Sequence, residues 1–251
     1  MTRLRVALLN AAHDGFDTRR NFRREVAADL VEYHVPAGEL PETVAFDACI
    51  VTGSRASVYW DRPWIGELKS WVGDAIQRGV PCLGVCFGHQ LLADVLGGQV
   101  EDMGEYEIGY RTVQQSGESL LFEGIDTEFT VFTTHSDRVA RLPPGADLIA
   151  EYDYGIHGFQ KDHVFAVQFH PEYDMAAAER VTRAKEGELD EERLTDVLST
   201  ITETEYSAAC EAKTLFDNFI QYVRDRSETA CAETERAETE RPTLSQTGRN
   251  D

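Results

Sequence analysis

The stretch Cys82-Leu-Gly-Val-Cys-Phe-Gly-His-Gln-Leu-Leu-Ala93 decides the fold class and carries the strongest chemical signal in the chain. Residues 80–85 are apolar and form a run of strand length, and the apolar residues that follow recur at helical spacing. Cys86 therefore lies in the turn between a strand and a helix. Gly84 and Gly88 bracket it, as expected where the two backbones approach closely. Because a helix N-terminus favours a thiolate, we predict that Cys86 is a nucleophile.

The alternative for Cys86 is a buried small hydrophobic residue, a common fate of free cysteine, but the glycine bracket favours the nucleophile. Cys49 and Cys82 lie in apolar runs and are predicted to be core residues. The chain has five cysteines and no Cys-x-x-Cys pair, which argues against a disulfide framework and a structural zinc site. We therefore expect a reducing, cytoplasmic location, with neither a metal nor a cofactor.

The composition excludes several classes of protein. The 251 residues carry a formal net charge of -21, with 24 basic against 45 acidic residues. A surface this acidic repels phosphate backbones, so nucleic acid is not an expected partner. No stretch approaches the roughly 18 apolar residues of a membrane span, so no membrane association is expected.

The acidity also leads to a hypothesis about the environment of the protein. An acidic, hydrated surface suits high salt, where screening removes the self-repulsion that opposes folding. We therefore hypothesise a halophile-like protein in a salt-rich cytoplasm. Equal folding and solubility of the purified protein at low and at multimolar salt would contradict this hypothesis.

The order of the predicted elements indicates an α/β fold. Strands are predicted over residues 5–9, 47–52 and 80–85, alternating with helices over 22–33, 64–77 and after Cys86. Such alternation is typical of a mostly parallel sheet with helices on both faces. Short apolar runs then predict a smaller mixed or antiparallel β portion, at residues 108–113, 129–134, 148–152, 155–160 and 164–169.

The C-terminal third is predicted to be helical. A charged segment at 176–205 precedes a helix at 206–224, whose apolar face is expected to pack back on the sheet. Beyond residue 227 the scarcity of apolar residues and a doubled Ala-Glu-Thr-Glu-Arg at 232–241 predict disorder. We therefore predict one domain over 1–226, with 176–205 as a charged helical insertion, and a disordered acidic tail over 227–251.

A thiolate nucleophile needs a base, and the base needs a partner that orients it. The segment Phe165-Ala-Val-Gln-Phe-His-Pro-Glu172 offers both. His170 follows an apolar strand, and Pro171 restricts the backbone conformation of His170. Glu172 could accept a hydrogen bond from the imidazole and hold its tautomer. The alternative is a pair of ordinary polar residues at a strand end, but the elbow at Cys86 favours catalysis.

A tetrahedral oxyanion formed by thiolate attack also needs hydrogen-bond donors. The backbone N–H of Phe87 is one candidate. The second is Gly53, where the apolar run Ile50-Val-Thr-Gly-Ser54 breaks at a glycine, although most such turns are only turns. His135 lies at a predicted change from strand to loop and could line the same site.

Three motifs stand out together: Gly84-Val-Cys-Phe-Gly-His-Gln90, Phe169-His-Pro-Glu172 and Thr52-Gly-Ser54. They resemble the class I glutamine amidotransferase domain, the Cys-His-Glu type found in guanylate synthetase and anthranilate synthase. The resemblance covers residues 3–175 and the last helix. Two further stretches are similar to stand-alone members, Gly53-Ser-Arg-Ala-Ser-Val-Tyr-Trp-Asp61 and Glu107-Ile-Gly109. The resemblance implies a flavodoxin-like three-layer sandwich.

The resemblance also implies a role for each candidate residue. Cys86 would attack the side-chain amide of glutamine and form a γ-glutamyl thioester. His170 would protonate the departing ammonia and then activate water, with Glu172 orienting it. Gly53 and Phe87 would donate backbone N–H groups to the oxyanion. Substrate contacts are implied for Gln90, Ser136 and Asp137.

Three functions remain open on the sequence. The first is a glutaminase that supplies ammonia to a separate synthetase, because the sequence lacks the Ser-Gly-Gly-x-Asp-Ser nucleotide loop of fused relatives. The second is a stand-alone γ-glutamyl hydrolase or peptidase, and the third is a non-catalytic regulatory module. The intact Cys-His-Glu set counts against the third. For the insertion at 176–205 the alternatives are an active-site cap, a docking element and a solvated helical excursion.

Overall fold

The computed structural model describes residues 3–13, 15–153 and 155–239. Nine strands lie within these residues: β1 (Arg5–Asn10), β2 (Asp29–His34), β3 (Ala48–Val51), β4 (Cys82–Val85), β5 (Gln99–Gln115), β6 (Glu128–Arg141), β7 (Asp147–Tyr152), β8 (Gly155–Lys161) and β9 (Val164–Val167). The α-helices are α1 (Gly15–Glu25), α2 (Pro63–Gln77), α3 (Phe87–Val95), α4 (Met175–Arg183), α5 (Glu191–Thr200), α6 (Glu203–Ala209) and α7 (Thr214–Thr239).

The strands form one sheet in the order β2-β1-β3-β4-β9-β8-β7-β5-β6. The first five of these run parallel, and β8, β7, β5 and β6 continue the sheet with antiparallel pairings. The predicted α/β class, with a parallel part and an antiparallel part, is confirmed. The antiparallel part was expected to be smaller but is the longer in residues, because β5 and β6 have 17 and 14 residues. Because β4 and β9 are neighbours, the residues that follow their carboxyl ends meet at one edge of the sheet.

Alternation along the central strands divides the core into two layers. In β1, Val6 and Leu8 face the cluster that contains Phe22 of α1 and the apolar face of α7. The neighbouring residue Leu9 faces the opposite cluster, which contains α2 and α3. The three-layer arrangement follows, with helices on both faces of a buried parallel sheet. Cys49 and Cys82 are fully buried, as predicted for core residues.

Two boundaries differ from the sequence prediction. The helix predicted over 22–33 ends at Glu25, and Leu30 and Tyr33 belong to β2, which pairs in parallel with β1. Helical spacing at these positions was misleading, because pairing with β1 satisfies the backbone of a segment rich in strand-forming residues. The helix predicted over 206–224 is interrupted by a 3-10 turn at Glu211–Lys213.

The prediction of disorder from residue 227 is wrong for residues 227–239, which continue α7. Glu, Arg and Ala are good helix formers, and extending an existing helix avoids the cost of nucleation. Residues 240–251 lie outside the described part of the chain. No helix among the described residues is long and apolar enough to cross a bilayer.

The segment 176–205 is helical, as predicted, and it packs on the sheet. A small apolar cluster joins it to β5 and β6 through Ile108, Phe132, Ala178 and Leu189. Asp174 caps α4 by accepting a hydrogen bond from the backbone N–H of Ala177 at 2.7 Å. The segment is therefore a packed part of the domain rather than a solvated excursion.

Candidate active site

Cys86 occupies a strained turn between β4 and α3. It is the N-cap residue of α3, and its φ of 54° and ψ of -104° are rare for a residue with a side chain. The turn needs glycine on both sides. A Cβ on Gly84 would lie 2.5 Å from the backbone of Gly88, and a Cβ on Gly88 would lie 2.2 Å from the Val51 carbonyl oxygen. The predicted close approach of strand and helix is present.

His170 lies just beyond β9, and several contacts fix its ring. Its Nδ1 is 2.8 Å from Glu172 Oε1, and its backbone N–H donates to the Phe132 carbonyl at 2.8 Å. The ring of Tyr173 stacks on the imidazole, with centroids 4.2 Å apart and planes 16° apart. Arg24 donates to the carbonyl oxygen of Glu172 at 2.7 Å. Glu172 therefore holds the edge of the imidazole, Tyr173 covers its face, and Phe132 fixes the backbone of His170.

Gly53 brings β3 against both His170 and Cys86. A Cβ built on Gly53 would lie 2.8 Å from His170 Cε1 and 3.6 Å from Cys86 Cβ. The absence of a side chain here gives the imidazole its place beside the sulfur. Cys86 Sγ also lies 3.7 Å from the carbonyl oxygen of Thr134 on β6.

The electrostatics of the pair favour a charged imidazole. Burial by itself lowers the pKa of His170, but the charges of Glu172 and Cys86, with hydrogen bonds to both, raise that pKa to about 10. The structure therefore places a charged imidazole next to Cys86. Burial also raises the pKa of Tyr173 well above its usual value, so its phenol stays protonated against the ring.

A cavity of about 710 Å³ opens at this end of the sheet. Seven of the eight predicted site residues line it, namely Gly53, Cys86, Gln90, Ser136, Asp137, His170 and Glu172. The eighth, Phe87, is the first residue of α3, where backbone N–H groups have no partner within the helix. Its side chain is buried beside Trp64 instead. His135 also lines the cavity.

Gln90 ties α3 to the strand that forms one wall of the cavity. Its Nε2 donates to the Asp137 carbonyl at 2.9 Å and to Gln168 Oε1 at 3.2 Å. Tyr59 donates its hydroxyl to Asp137 Oδ1 at 2.9 Å. These bonds commit both amide hydrogens of Gln90, so its side-chain oxygen remains available as an acceptor.

The segment 176–205 contributes a wall to the cavity through α4 and the turn after it, in line with the active-site cap that was one of its alternatives, although the sequence singled out none of the lining residues. Its lining residues are Ala177, Arg180, Val181, Ala184, Lys185 and Glu188. Lys185 is only 6% exposed, pairs with Glu188 at 2.7 Å and lies 4.1 Å from the ring centroid of Tyr106. No sequence motif predicts these lining residues, because their position depends on how the insertion packs over β5 and β6.

Residues 18–185 match the family model described as glutamine amidotransferase class-I. The match covers more than half of the chain. The chain belongs to the class-I glutamine amidotransferase family. It is 38% identical over 155 residues to the glutamine-hydrolysing GMP synthase of Thermomicrobium roseum, covering 61% of this chain and 28% of that protein. The corresponding enzyme of Staphylococcus epidermidis is 40% identical over 158 residues, covering 62% and 29%.

The class-I amidotransferase fold is also found among solved structures. A glutamine amidotransferase of Thermotoga maritima aligns with a TM-score of 0.75 and 22% identity, over 89% of this chain and 99% of that one. A glutamine amidotransferase of Methylobacillus flagellatus aligns with a TM-score of 0.74 and 19% identity, over 88% and 95%. At these identities the likeness concerns the fold. The chain spans less than a third of the length of the two GMP synthases it matches.

Proposed function

We propose that this chain is a glutaminase that hydrolyses the side-chain amide of glutamine through a γ-glutamyl thioester on Cys86. The observation that carries the proposal is the position of Cys86 at a strained helix N-terminus, beside a buried His170–Glu172 pair and on a cavity. This combination supplies a nucleophile, a proton carrier and an orienting carboxylate. Membership of the family supports the same chemistry.

In the first half-reaction, the Cys86 thiolate adds to the amide carbon and forms a C–S bond, and the carbonyl becomes an oxyanion. The backbone N–H groups of Gly53 and Phe87 are the proposed oxyanion donors. His170, charged at the start, gives its proton to the amide nitrogen as the C–N bond breaks. Ammonia leaves and the thioester remains.

In the second half-reaction, water hydrolyses the thioester. The sulfur no longer carries charge in this state, so one of the causes that raises the pKa of His170 is gone. The neutral imidazole takes a proton from water, and the new C–O bond replaces the C–S bond. Glutamate leaves, and the thiolate with its imidazolium is restored. Glu172 keeps the ring oriented through both halves.

We propose that the substrate lies along the wall formed by α3 and β6. The side-chain oxygen of Gln90 would accept a hydrogen bond from the α-amino group of glutamine. Ser136 and Asp137 would contact the same end of the substrate, since both line the cavity beside Gln90. The assignment rests on the position of these groups in the cavity that holds Cys86.

The ammonia is proposed to serve a separate synthetase. The two curated relatives are glutamine-hydrolysing GMP synthases, and the chain matches only 28% and 29% of their lengths. The synthase names of these relatives support the proposal that a synthetase uses the ammonia. A synthetase that copurifies with this chain would identify the acceptor of the ammonia.

The second candidate function is a γ-glutamyl hydrolase or peptidase, and the size of the cavity favours keeping it. Its volume of about 710 Å³ lies within the range of about 300–1,000 Å³ that small-molecule sites occupy. The cavity also reaches as far as the wall from α4, where a leaving group larger than ammonia would be placed. Both functions break a γ-glutamyl C–N bond with the same residues.

A direct comparison of substrates tests these proposals. The purified chain is incubated with glutamine and, separately, with γ-glutamyl dipeptides, and ammonia, glutamate and the released amino acid are measured beside Cys86→Ala. Glutamine hydrolysis that disappears in the variant supports the first function. Rapid dipeptide cleavage with negligible ammonia release would replace it with the second. No turnover of either, even with cell extract added as a source of partner, would favour a non-catalytic regulatory module.

A further inference from the structure

A second group of buried titratable side chains lies outside the proposed catalytic set. Glu107 on β5, His135 on β6 and His157 on β8 converge, and each residue is at most 5% exposed. Glu107 Oε2 lies 2.9 Å from His135 Nε2 and 3.7 Å from His157 Nε2. One donor atom from each residue lies within 4.8 Å of the other two. The proposed reaction uses neither Glu107 nor His157.

The hydrogen bond of His135 determines what can lie between these groups. Its Nδ1 is 2.9 Å from the Asp137 carbonyl oxygen, which only accepts, so Nδ1 carries a hydrogen. In the neutral ring Nε2 then carries a lone pair, and Glu107 Oε2 lies 2.9 Å from it without forming a hydrogen bond. A positive charge between two such groups, either a proton or a metal ion, would stabilise their close approach.

His157 distinguishes these two possibilities. Neither of its ring nitrogens has a hydrogen-bond partner among the described residues, although the ring is buried. A proton shared by His135 and Glu107 would leave this third donor unpartnered at a cost in free energy. A metal ion would use all three donors.

We propose that Glu107, His135 and His157 bind one divalent transition-metal ion, with zinc as the best fit. Two imidazoles and a carboxylate are a common protein ligand set for zinc. Zinc bonds of about 2.0–2.2 Å in tetrahedral geometry place ligand atoms about 3.3 Å apart, and the observed 2.9 and 3.7 Å bracket this separation.

The surroundings of the three donors suit the same site. The Nδ1–H of His135 donates to a backbone carbonyl, the outer contact that orients a metal-bound histidine. Arg111 Nε lies 3.3 Å from Glu107 Oε1 and holds the carboxylate while Oε2 faces the imidazoles. The sequence analysis expected no metal because it considered cysteine patterns, whereas these donors come from three strands far apart in the chain.

The role of the ion would be structural. Glu107 and His135 face each other in the β5–β6 ladder, and His157 adds β8, so the ion would link three strands of the antiparallel part. The Asp137 carbonyl that holds His135 also accepts from Gln90. The ion would therefore stabilise the strand that forms one wall of the cavity without touching the sulfur.

Metal analysis of the full chain, purified without a histidine tag, tests the site. Metal content is measured by mass spectrometry before and after dialysis against a chelator, and zinc is then titrated into the metal-free protein. We expect one zinc per chain and a rise in melting temperature of about 5–10 °C on zinc addition. Cobalt in place of zinc should give visible absorption bands of a low-coordinate site.

Two variants locate the ion, and a third serves as control. His157→Phe keeps a ring in the buried space and should weaken zinc binding at least about 100-fold. Glu107→Gln, nearly isosteric, should do the same and is the alternative if His157→Phe does not fold by circular dichroism. His163→Gln removes an imidazole elsewhere and should bind zinc as the parent does. Absence of zinc binding by the parent, or unchanged binding by both cluster variants, would overturn the proposal.

Discussion

Two carboxylate–imidazole pairs in this protein are alike in their separation and burial and differ in their third neighbour. The Glu172–His170 and Glu107–His135 contacts measure 2.8 and 2.9 Å, and both pairs are buried. The first pair adjoins a sulfur at a strained helix N-terminus. The second adjoins another imidazole, that of His157. In the two proposals made above, the neighbour, rather than the pair, determines whether the unit moves protons to substrate or holds a cation.

The strongest test of this contrast removes the sulfur. Cys86→Ala should lower kcat/KM for glutamine at least about 10,000-fold, since the thioester cannot form. His157→Phe removes the third neighbour of the other pair and should retain most of the activity. Steady-state ammonia release by both variants is the measurement. Residual activity of Cys86→Ala above a few per cent of the parent would show that another group is the nucleophile.

Replacing each glutamate by glutamine should distinguish the two pairs by their effect on kcat. Glu172→Gln loses the charge that orients the His170 imidazole, and we expect a loss in kcat of about 100- to 10,000-fold. Glu107→Gln should leave kcat within a few-fold, because Glu107 does not line the cavity.

Glu107→Gln should instead lower the free energy of unfolding. Weakening the buried contact to His135 costs about 1–3 kcal/mol, which corresponds to a fall in melting temperature of about 2–4 °C per kcal/mol. Both melting curves are recorded with a chelator present, so that bound metal does not contribute. A large kcat effect in Glu107→Gln, with a small one in Glu172→Gln, would reverse the assignment of the two pairs.

The difference in sequence signal between the two pairs has a physical cause. The turn at Cys86 is specified locally, because a strand, two required glycines and a helix follow one another within the twelve residues 82–93. His170 and Glu172 are two residues apart, so their contact was also predictable. The Glu107 cluster instead depends on β5, β6 and β8 coming together, and no short pattern contains all three donors.

The same reasoning explains which parts of the fold were predicted. The alternating strands and helices of the parallel half were visible because each element buries a continuous apolar run or face. Residues 29–34 were misassigned because sheet pairing outweighed an apparent helical spacing. An active-site cap was only one of three alternatives for the segment that contains α4. The residues of its wall were not predicted, because their contacts with the cavity depend on tertiary packing.

Gly53 offers a test of how much the catalytic pair depends on its position. In Gly53→Ala the new methyl group would lie 2.8 Å from His170 Cε1, so the ring must shift. A displacement of this kind should lower kcat about 10- to 100-fold.

A second glycine provides the matched control. Gly66 is exposed on α2, and a Cβ there would meet nothing within 4 Å. Gly66→Ala should keep full activity and gain up to about 1 kcal/mol in stability, because alanine is the better helix former. Full activity in Gly53→Ala as well would mean that the imidazole does not need the position it has in the structure.

The last prediction is a shift along the pH axis that belongs to the His170–Glu172 pair. The folded pKa of His170 is raised from 6.5 to about 10. Its charged form therefore contributes stability that is fully present below pH 6.5 and is lost as pH rises through about 10. NMR titration of ring-labelled histidine should show one imidazole that remains protonated well above neutral pH. Glu172→Gln removes one raising charge and should move that titration, and the onset of the stability loss, to lower pH. If every histidine of the parent protein titrates at or below pH 6.5, the proposed imidazolium–thiolate pair is ruled out.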